Sequence, residues 1–515
     1  MHPGTHARKH PRKPAQIMAA TGEVLTYGEL DGRSNRFAQL LWNAGLRRGD
    51  GLAVFMENHP RFLELYWAAM RSGLYFTPIN RFLTAEEAAY IVNDSAAKVL
   101  VSSAHLGDVT DELAGLTSGT RLQLMVDGIR DGYESYEAAV ADQSPEPLDL
   151  QPMGGLLLYS SGTTGRPKGV WRPLPEKTID ENPQRLPPSG PLAIDDSAVY
   201  LSSAPLYHTA PLGFAAGVQR SGATVVVMEK FEPLQALRAI EAHRVTHSQW
   251  VPTMFVRMLR LPEEDRTGHD LSSHAVAIHG AGPCAPAVKR QMIEWWGPIL
   301  VEHYGSTEGT GLTVIDSHEW LEHEGSVGRP VLGTVHICDR SGRELGHGED
   351  GLVYFEHDKL PFKYLNDDAK TDAARHPLHR NWTTLGDIGH VDGDGYLYLT
   401  DREDFVIISG GVNIYPAESE NVLLAHPSVM DVAVVGVPNE EFGEEVKAFV
   451  QPTDPIGDPA ALEGELIAFC RDRLAHYKCP RTVEFVAALP RLPTGKLSKN
   501  RLGLPQPGGR GEESP

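Results

Sequence analysis

Short apolar runs alternate with amphipathic segments along most of the first 400 residues. Leu52–Met56 has the pattern of a buried strand, Pro60–Arg71 that of an amphipathic helix, and Tyr75–Ile79 that of the next strand. Thr84 and Glu87 are spaced as a capping box, which predicts that another helix begins there. Strands separated by helices in this way favour parallel-rich sheets with helices on both faces, an α/β fold.

The alternation ends in a charged stretch, Asp401–Asp404, after which a smaller α+β pattern begins. We therefore expect a large N-terminal domain over residues 1–401 and a small mobile C-terminal domain over residues 405–502. Because hinges are short segments that absorb backbone rotation, residues 402–404 are the expected hinge. The last segment, residues 503–515, is rich in Gly, Pro and charge, which predicts a disordered tail.

Composition limits the classes of function. A chain of 515 residues is too long for one compact core, in agreement with two domains. The formal net charge of −21 argues against a nucleic-acid partner. Four widely spaced cysteines predict neither a zinc site nor a disulfide framework, which fits a reducing cytoplasm. The chain shows no apolar run of transmembrane length and no apolar signal core, so we expect a cytoplasmic location.

The strongest functional signal lies between Tyr159 and Val170. Hydroxyl side chains alternate there with glycines, and a Pro-Lys pair follows. Glycines let backbone N–H groups approach an anion closely, and the hydroxyls and the lysine add further donors. The segment lacks the common P-loop spacing. It predicts a polyphosphate-binding loop formed by Ser160, Ser161, Gly162, Thr163, Thr164, Gly165 and Lys168.

Further motifs follow in a fixed order. They are Tyr304–Gly309, Gly386–Asp387, Asp401–Asp404 leading into Ser409–Asn413, and Pro490–Lys496. Together with the phosphate loop, this set resembles the adenylate-forming superfamily, in particular its branch of acyl-CoA synthetases and fatty-acid–CoA ligases. The resemblance extends from about residue 20 to about residue 500.

The resemblance implies an ATP- and Mg²⁺-dependent ligase acting on a small-molecule carboxylic acid. The carboxylate would attack ATP to form an acyl-adenylate with release of pyrophosphate. Coenzyme A (CoA) would then take the acyl group as a thioester. A carboxylate is a poor electrophile, and the mixed anhydride supplies the leaving group that it lacks.

The resemblance also assigns nucleotide-site roles. Glu308 would hold Mg²⁺, Thr307 would bind the α-phosphate, and the Tyr304 ring would stack on adenine. Asp387 would receive both ribose hydroxyls, with Arg402 assisting at ribose or phosphate. The remaining expected nucleotide-site residues are Gly280, Ala281, Gly282 and Gly305. The family's Thr-Gly-Asp is here Leu-Gly-Asp, with Leu385 in place of the threonine.

Other positions match the family's acyl and C-terminal sites. His208 matches an aromatic gate beside the carboxylate, and Tyr207, Trp250 and Ser306 would line the acyl pocket. Lys496 would reach into the site during adenylation. Ser409, Gly410 and Gly411 would line a pantetheine channel during thioester formation, and Asp404 falls at the family's hinge position.

Small and apolar residues dominate the expected pocket, and no aspartate stands where amino-acid-activating relatives anchor an amine. This favours a fatty, steroid-side-chain or aryl acid. Two alternatives stay open: another acceptor, such as a carrier-protein phosphopantetheine, or a diazotase that activates nitrite for an aryl amine. The sequence leaves the oligomeric state undecided, and a homodimer is one of the alternatives.

Overall fold

A computed structural model describes the chain over residues 1–160, 167–181, 190–410, 412–439, 441–491 and 497–502. All structural statements below concern these residues. Several residues singled out by the sequence lie outside them: Ser161, Gly162, Thr163, Thr164, Gly165, Gly411, Lys496 and the expected tail, residues 503–515.

The helices follow the amphipathic segments of the sequence. The predicted capping box is confirmed, because Thr84 and Glu87 bond reciprocally at the start of the fourth helix. The helix predicted to begin at Pro60 begins at Phe62, and the amide of its N-cap residue, Arg61, donates to His59 Nδ1. The helices are α1 (Pro3–Lys9), α2 (Tyr27–Asn43), α3 (Phe62–Arg71), α4 (Ala85–Asp94), α5 (Val109–Leu116), α6 (Tyr136–Ala141), α7 (Thr209–Ser221), α8 (Pro233–His243), α9 (Pro252–Leu259), α10 (Glu263–Thr267), α11 (Pro286–Trp296), α12 (Ser317–Glu322), α13 (Asp368–Ala373), α14 (Pro416–Leu424) and α15 (Pro459–Arg471).

The strands follow the apolar runs. They are β1 (Pro14–Met18), β2 (Val24–Thr26), β3 (Gly51–Phe55), β4 (Tyr75–Ile79), β5 (Ala97–Ser103), β6 (Leu122–Val126), β7 (Glu134–Ser135), β8 (Gly155–Leu156), β9 (Leu158–Ser160), β10 (Lys168–Trp171), β11 (Val199–Ser202), β12 (Thr224–Val227), β13 (His247–Trp250), β14 (Val276–His279), β15 (Leu300–Gly305), β16 (Leu312–Asp316), β17 (Ser326–Leu332), β18 (Thr334–Cys338), β19 (Gly351–Glu356), β20 (Lys363–Tyr364), β21 (Trp382–Thr383), β22 (Asp387–Val391), β23 (Leu397–Arg402), β24 (Ile407–Ser409), β25 (Val412–Ile414), β26 (Val429–Asn439), β27 (Gly443–Pro452) and β28 (Thr482–Phe485).

Two large sheets form the N-terminal domain. The six-stranded sheet has the order β7-β6-β5-β3-β4-β8, and all its pairs are parallel. Every residue of β3 is buried, as expected for a strand covered by helices on both faces. The predicted α/β class and its parallel-rich sheets are confirmed here.

The strands of the other large sheet pair in parallel in one part and antiparallel in another. Strands β12, β11, β13, β14 and β15 pair in parallel, whereas β15, β16, β17, β23, β22, β19 and β18 pair antiparallel. The antiparallel half begins at β15, which follows α11 in the chain. Its strand ends supply two of the predicted site residues, Asp387 and Arg402.

A small α+β domain follows, as predicted. Its sheet contains β25, β24, β27, β26 and β28, and α14 spans Pro416–Leu424. The Ala417 amide donates to Asp401 Oδ2 at 3.2 Å, and the Arg260 guanidinium of the large domain donates to the Val429 carbonyl. Across the described ranges, no helix has the length and apolar character to cross a membrane.

Candidate active site

Asp387 is held between two predicted nucleotide-site residues. Tyr304 donates its hydroxyl proton to Oδ2 at 2.6 Å, and Arg402 Nε donates to Oδ1 at 2.9 Å. Burial and the neighbouring carboxylate raise the pKa of the Tyr304 hydroxyl well above its ordinary value, so the hydroxyl keeps its proton. Strand β15 thus meets the β22–β23 pair here, and each oxygen of Asp387 keeps a lone pair for a ribose hydroxyl.

A tight turn after β15 carries Thr307 and Glu308. Gly309 has a φ of +66°, a left-handed conformation that favours glycine. Thr307 Oγ1 lies 2.7 Å from Thr209 Oγ1, which joins the turn to the first residue of α7. Glu308 is only 6% exposed, and its Oε1 accepts a hydrogen bond from Tyr364 at 3.0 Å.

The donor set at Glu308 fits a hard cation. Among the described residues, nothing donates a hydrogen bond to Oε2 of Glu308, so this oxygen is free to bind a metal. Mg²⁺ prefers oxygen ligands and commonly takes one or two protein carboxylates together with substrate phosphates. Glu308 would hold the ion that neutralises phosphate charge.

The stems of the phosphate loop are anchored in the described residues. Ser160 and Lys168 pair across the β9–β10 hairpin that flanks the loop. Lys168 Nζ lies 2.7 Å from Asp367 Oδ2, and this carboxylate raises the pKa of Lys168. Tyr159 donates to Asp94 at 2.7 Å. The hairpin is therefore fixed at both ends, although the loop itself lies outside the described residues.

Tyr207 and His208 precede α7. Their rings are in edge contact, with centroids 4.4 Å apart. The Tyr207 hydroxyl and His208 Nε2 are buried, and neither has a hydrogen-bond partner among the described residues. Burial lowers the pKa of His208 to about 3, so the imidazole is neutral at physiological pH. Both polar atoms are therefore available to a bound molecule.

The other predicted site residues lie in two segments: the loop after β14, and the end of β15 with the turn that follows it. Gly280 packs against His303, where an added Cβ would lie 2.6 Å from the His303 carbonyl oxygen, and Ala281 has a φ of +67°. Ser306 lies 3.2 Å from Thr310 through their hydroxyls, beside the Thr307–Gly309 turn. Gly282 follows in the same loop as Gly280, and Gly305 ends β15.

Trp250, which the family resemblance places in the acyl pocket, lies in the hydrophobic core. It is fully buried in the core, its ring contacts Trp296 at 5.4 Å between centroids, and its indole N–H donates to Ser248 at 2.6 Å. The side chain packs beside Phe255 of α9 and Trp296 of α11.

The C-terminal residues lie in the small domain. Ser409 ends β24, and the Gly410 amide donates to the Phe442 carbonyl at 2.8 Å, with a Gly410 φ of +58°. Asp404 is exposed within a short 3₁₀ turn, Glu403–Phe405. Gly411 and Lys496 lie outside the described residues.

Sequence reasoning missed three residues that contact the site. Arg172 donates to the Thr307 carbonyl, Tyr364 to Glu308, and Asp367 pairs with Lys168. None belongs to a motif recognised in the sequence. The available signal was weak: a basic residue directly after the Lys168–Trp171 strand, and a tyrosine in a short apolar run before Asp367.

Comparisons with known proteins identify the family of the chain. The AMP-binding enzyme family matches residues 4–364, and the AMP-binding enzyme C-terminal domain matches residues 418–496. A feruloyl-CoA synthase of an Amycolatopsis species is 36% identical over 97% of each chain. A long-chain-fatty-acid–CoA ligase of Mycobacterium tuberculosis is 32% identical over 96% of this chain and 95% of its own.

A solved structure extends the likeness to three dimensions. The o-succinylbenzoate-CoA synthetase of Bacillus subtilis, in complex with its acyl-adenylate intermediate, has a TM-score of 0.78 and 26% identity, with 97% of each chain covered. The N-terminal family match alone spans more than half of the chain. The chain therefore belongs to the AMP-binding enzyme family, in the acyl-CoA synthetase branch of the adenylate-forming superfamily.

Proposed function

We propose that this AMP-forming acid–thiol ligase activates an aryl acid, using Tyr304, Thr307, Glu308 and Asp387 as its nucleotide site. The observation that carries the proposal is the placement of these residues at one edge of the sheet. There Asp387 joins Tyr304 and Arg402, and the Thr307–Gly309 turn follows β15. The carboxyl ends of parallel strands are the usual place for ligands in such sheets.

The residues divide the work of the first half-reaction. Asp387 and Arg402 would fix the ribose, and the Tyr304 ring would cover the adenine. Thr307 would donate to the α-phosphate while Glu308 holds the Mg²⁺ that neutralises the phosphates. With these roles the acid carboxylate would be held in line with the α-phosphate, and the charge that develops there would be stabilised.

The C-terminal domain would complete both half-reactions. Lys496 would donate to the carboxylate and the α-phosphate during adenylation. The Ser409–Gly411 loop would replace it for thioester formation, where the missing side chains leave room for the pantetheine arm. The domain division at residues 402–404 is part of this proposal and is supported by the separate sheet of the small domain.

Two observations support an aryl acid over a plain fatty acid. The buried Tyr207 hydroxyl and His208 Nε2 have no partner among the described residues, and a buried polar atom left unpaired costs about 1–3 kcal/mol. A ring substituent such as a hydroxyl or methoxy group would satisfy one of them. The relative named feruloyl-CoA synthase acts on an acid of this kind.

The test is pyrophosphate exchange with a panel of acids. We expect hydroxylated or methoxylated aryl acids to support exchange at lower concentration than long-chain fatty acids, and CoA to release AMP. Exchange with fatty acids alone would overturn the aryl assignment. AMP release only with a phosphopantetheinylated carrier protein, or only with nitrite and an aryl amine, would assign another acceptor.

Location and assembly are further parts of the proposal. All four cysteines are free, which supports a reducing compartment such as the cytoplasm. A homodimer would be tested by light scattering over a range of protein concentrations, where a mass of one chain at all of them would exclude it.

A further inference from the structure

Two residues outside the sequence motifs hold the Thr307–Gly309 turn. Arg172 Nη2 donates to the Thr307 carbonyl oxygen at 2.6 Å, and the Tyr364 hydroxyl donates to Glu308 Oε1 at 3.0 Å. Arg172 directly follows β10, and Tyr364 ends β20. These two strands pair antiparallel, with Val170 opposite Tyr364. Both contacts therefore come from one small sheet.

The Arg172 guanidinium is held by hydrogen bonds to two backbone carbonyls. Its Nε donates to the Pro361 carbonyl at 3.2 Å, so the guanidinium bridges the turn and the segment that leads into β20. Within the described ranges it forms no ion pair, and the nearby negative charge is Glu308. An added Cβ at Gly309 would lie 2.7 Å from Nη2, so the glycine makes room for the guanidinium.

Tyr364 is equally fixed. It is 6% exposed, its ring meets Phe362 at 5.1 Å between centroids, and its amide donates to Thr371 Oγ1 at 2.9 Å. Its hydroxyl engages Oε1 of Glu308 and leaves Oε2 without a hydrogen bond from the described residues. The tyrosine thus selects which carboxylate oxygen is free.

We propose that Arg172 and Tyr364 are positioning residues that hold the turn and direct Oε2 of Glu308 toward the metal-bound nucleotide. This rests on the proposed role of Glu308 as the metal carboxylate. Without Tyr364 the carboxylate could rotate, and without Arg172 the turn would lose its fixed carbonyl. Hydrogen-bond partners behind a metal ligand typically contribute about 10–100-fold in metal affinity or activity.

The test measures metal binding directly. Mn²⁺ is titrated against the protein with ATP and no acid, and bound Mn²⁺ is followed by electron paramagnetic resonance. We expect Tyr364→Phe and Arg172→Gln each to weaken Mn²⁺ binding by about 10-fold. Tyr354→Phe is the matched control, because Tyr354 is also buried (5% exposed), lies on β19 in a different sheet, and the hydrogen bond to Glu308 comes from Tyr364. This control should bind as the wild type does.

Activity provides the second measurement. The Mg²⁺ concentration for half-maximal pyrophosphate exchange should rise in both variants, while KM for the acid stays unchanged. Wild-type Mn²⁺ affinity in both variants would overturn the proposal, as would unchanged affinity in Glu308→Gln. If Tyr364→Phe does not fold, Arg172→Gln decides alone. Wild-type protein that binds Mn²⁺ and ATP but exchanges with no acid would overturn the proposed function and leave the positioning test valid.

Discussion

Tyr304 and Asp387 are joined by a hydrogen bond of 2.6 Å, although 83 residues separate them along the chain. The bond ties the ring expected over adenine to the carboxylate expected under ribose. One contact therefore joins both halves of the proposed nucleoside site, and Arg402 holds the other oxygen of Asp387.

This contact predicts a graded loss of ATP affinity. Tyr304→Phe keeps the ring and loses one hydrogen bond, worth about 0.5–1.5 kcal/mol, so ATP affinity should fall by about 2- to 10-fold. Asp387→Ala removes the ribose acceptor and leaves Arg402 unpaired, so its loss should be larger. Equilibrium ATP binding without acid measures both. Equal affinities in the two variants would contradict the ribose role of Asp387.

For the pair of Lys168 and Asp367, we predict that removing the carboxylate improves ATP binding. Lys168 lies at the stem of the phosphate loop and pairs with Asp367 at 2.7 Å. If Lys168 binds the phosphates as proposed, the Asp367 carboxylate would compete with them for its ammonium group. We expect Asp367→Asn to lower KM for ATP several-fold and Lys168→Ala to raise it. Because both groups are screened by solvent, the pair should contribute little to the free energy of unfolding.

Steady-state kinetics at saturating acid, together with urea unfolding, check this prediction. Asp367 also caps α13 through the Lys370 amide, a bond that asparagine can still accept. A raised KM for ATP in Asp367→Asn would mean that the pair braces the loop and does not compete with the nucleotide.

The sequence predicted the large features because they depend on local patterns. Alternating strands and helices, the Thr84 capping box and the motif order need no knowledge of distant contacts. Tyr364 shows the limit: it lies 56 residues from Glu308, and only the pairing of β20 with β10 brings it to the site. Trp250 has no local signal of either kind: the family resemblance suggested its place in the acyl pocket, and only the structure shows its packing in the core.

Buried neutral histidines predict acid sensitivity. Burial lowers the pKa of His274 to about 3 and the pKa of His279 well below 6.5. Between pH 6.5 and the lowered pKa, the unfolded chain binds a proton that the folded chain does not, so stability falls as pH falls. With a folded pKa of about 3, His274 makes the free energy of unfolding about 2 kcal/mol lower at pH 5 than at pH 7.

Urea unfolding at pH 5 and pH 7 measures this loss. His274→Gln should reduce the difference between the two pH values, whatever its effect at pH 7. His318→Asn, at an exposed position, is the control and should leave the difference unchanged. An unaltered difference in His274→Gln would show that His274 is protonated in the folded state.

The two half-reactions should respond separately to the C-terminal residues. Lys496→Ala should lower the rate of adenylate formation by about 10²–10³, because Lys496 would stabilise charge only in that transition state. Transfer from a supplied acyl-adenylate to CoA should persist. Gly410→Leu should narrow the thiol channel and do the reverse, with pyrophosphate exchange retained and CoA consumption lost. Equal losses in both half-reactions, for either variant, would reject its assigned role.

The last prediction concerns domain motion. Arg402 is tied to Asp387 in the large domain, and Asp401 Oδ2 accepts the Ala417 amide of the small one. We therefore expect the backbone rotation between the domains just after Arg402, at the exposed Asp404. Asp404→Pro fixes φ there and should slow thioester formation more than adenylation, with ATP binding retained. Asp404→Ala is the control and should keep both rates. Single-turnover assays of each half-reaction measure these rates. Wild-type turnover in Asp404→Pro would show that the hinge is not at Asp404.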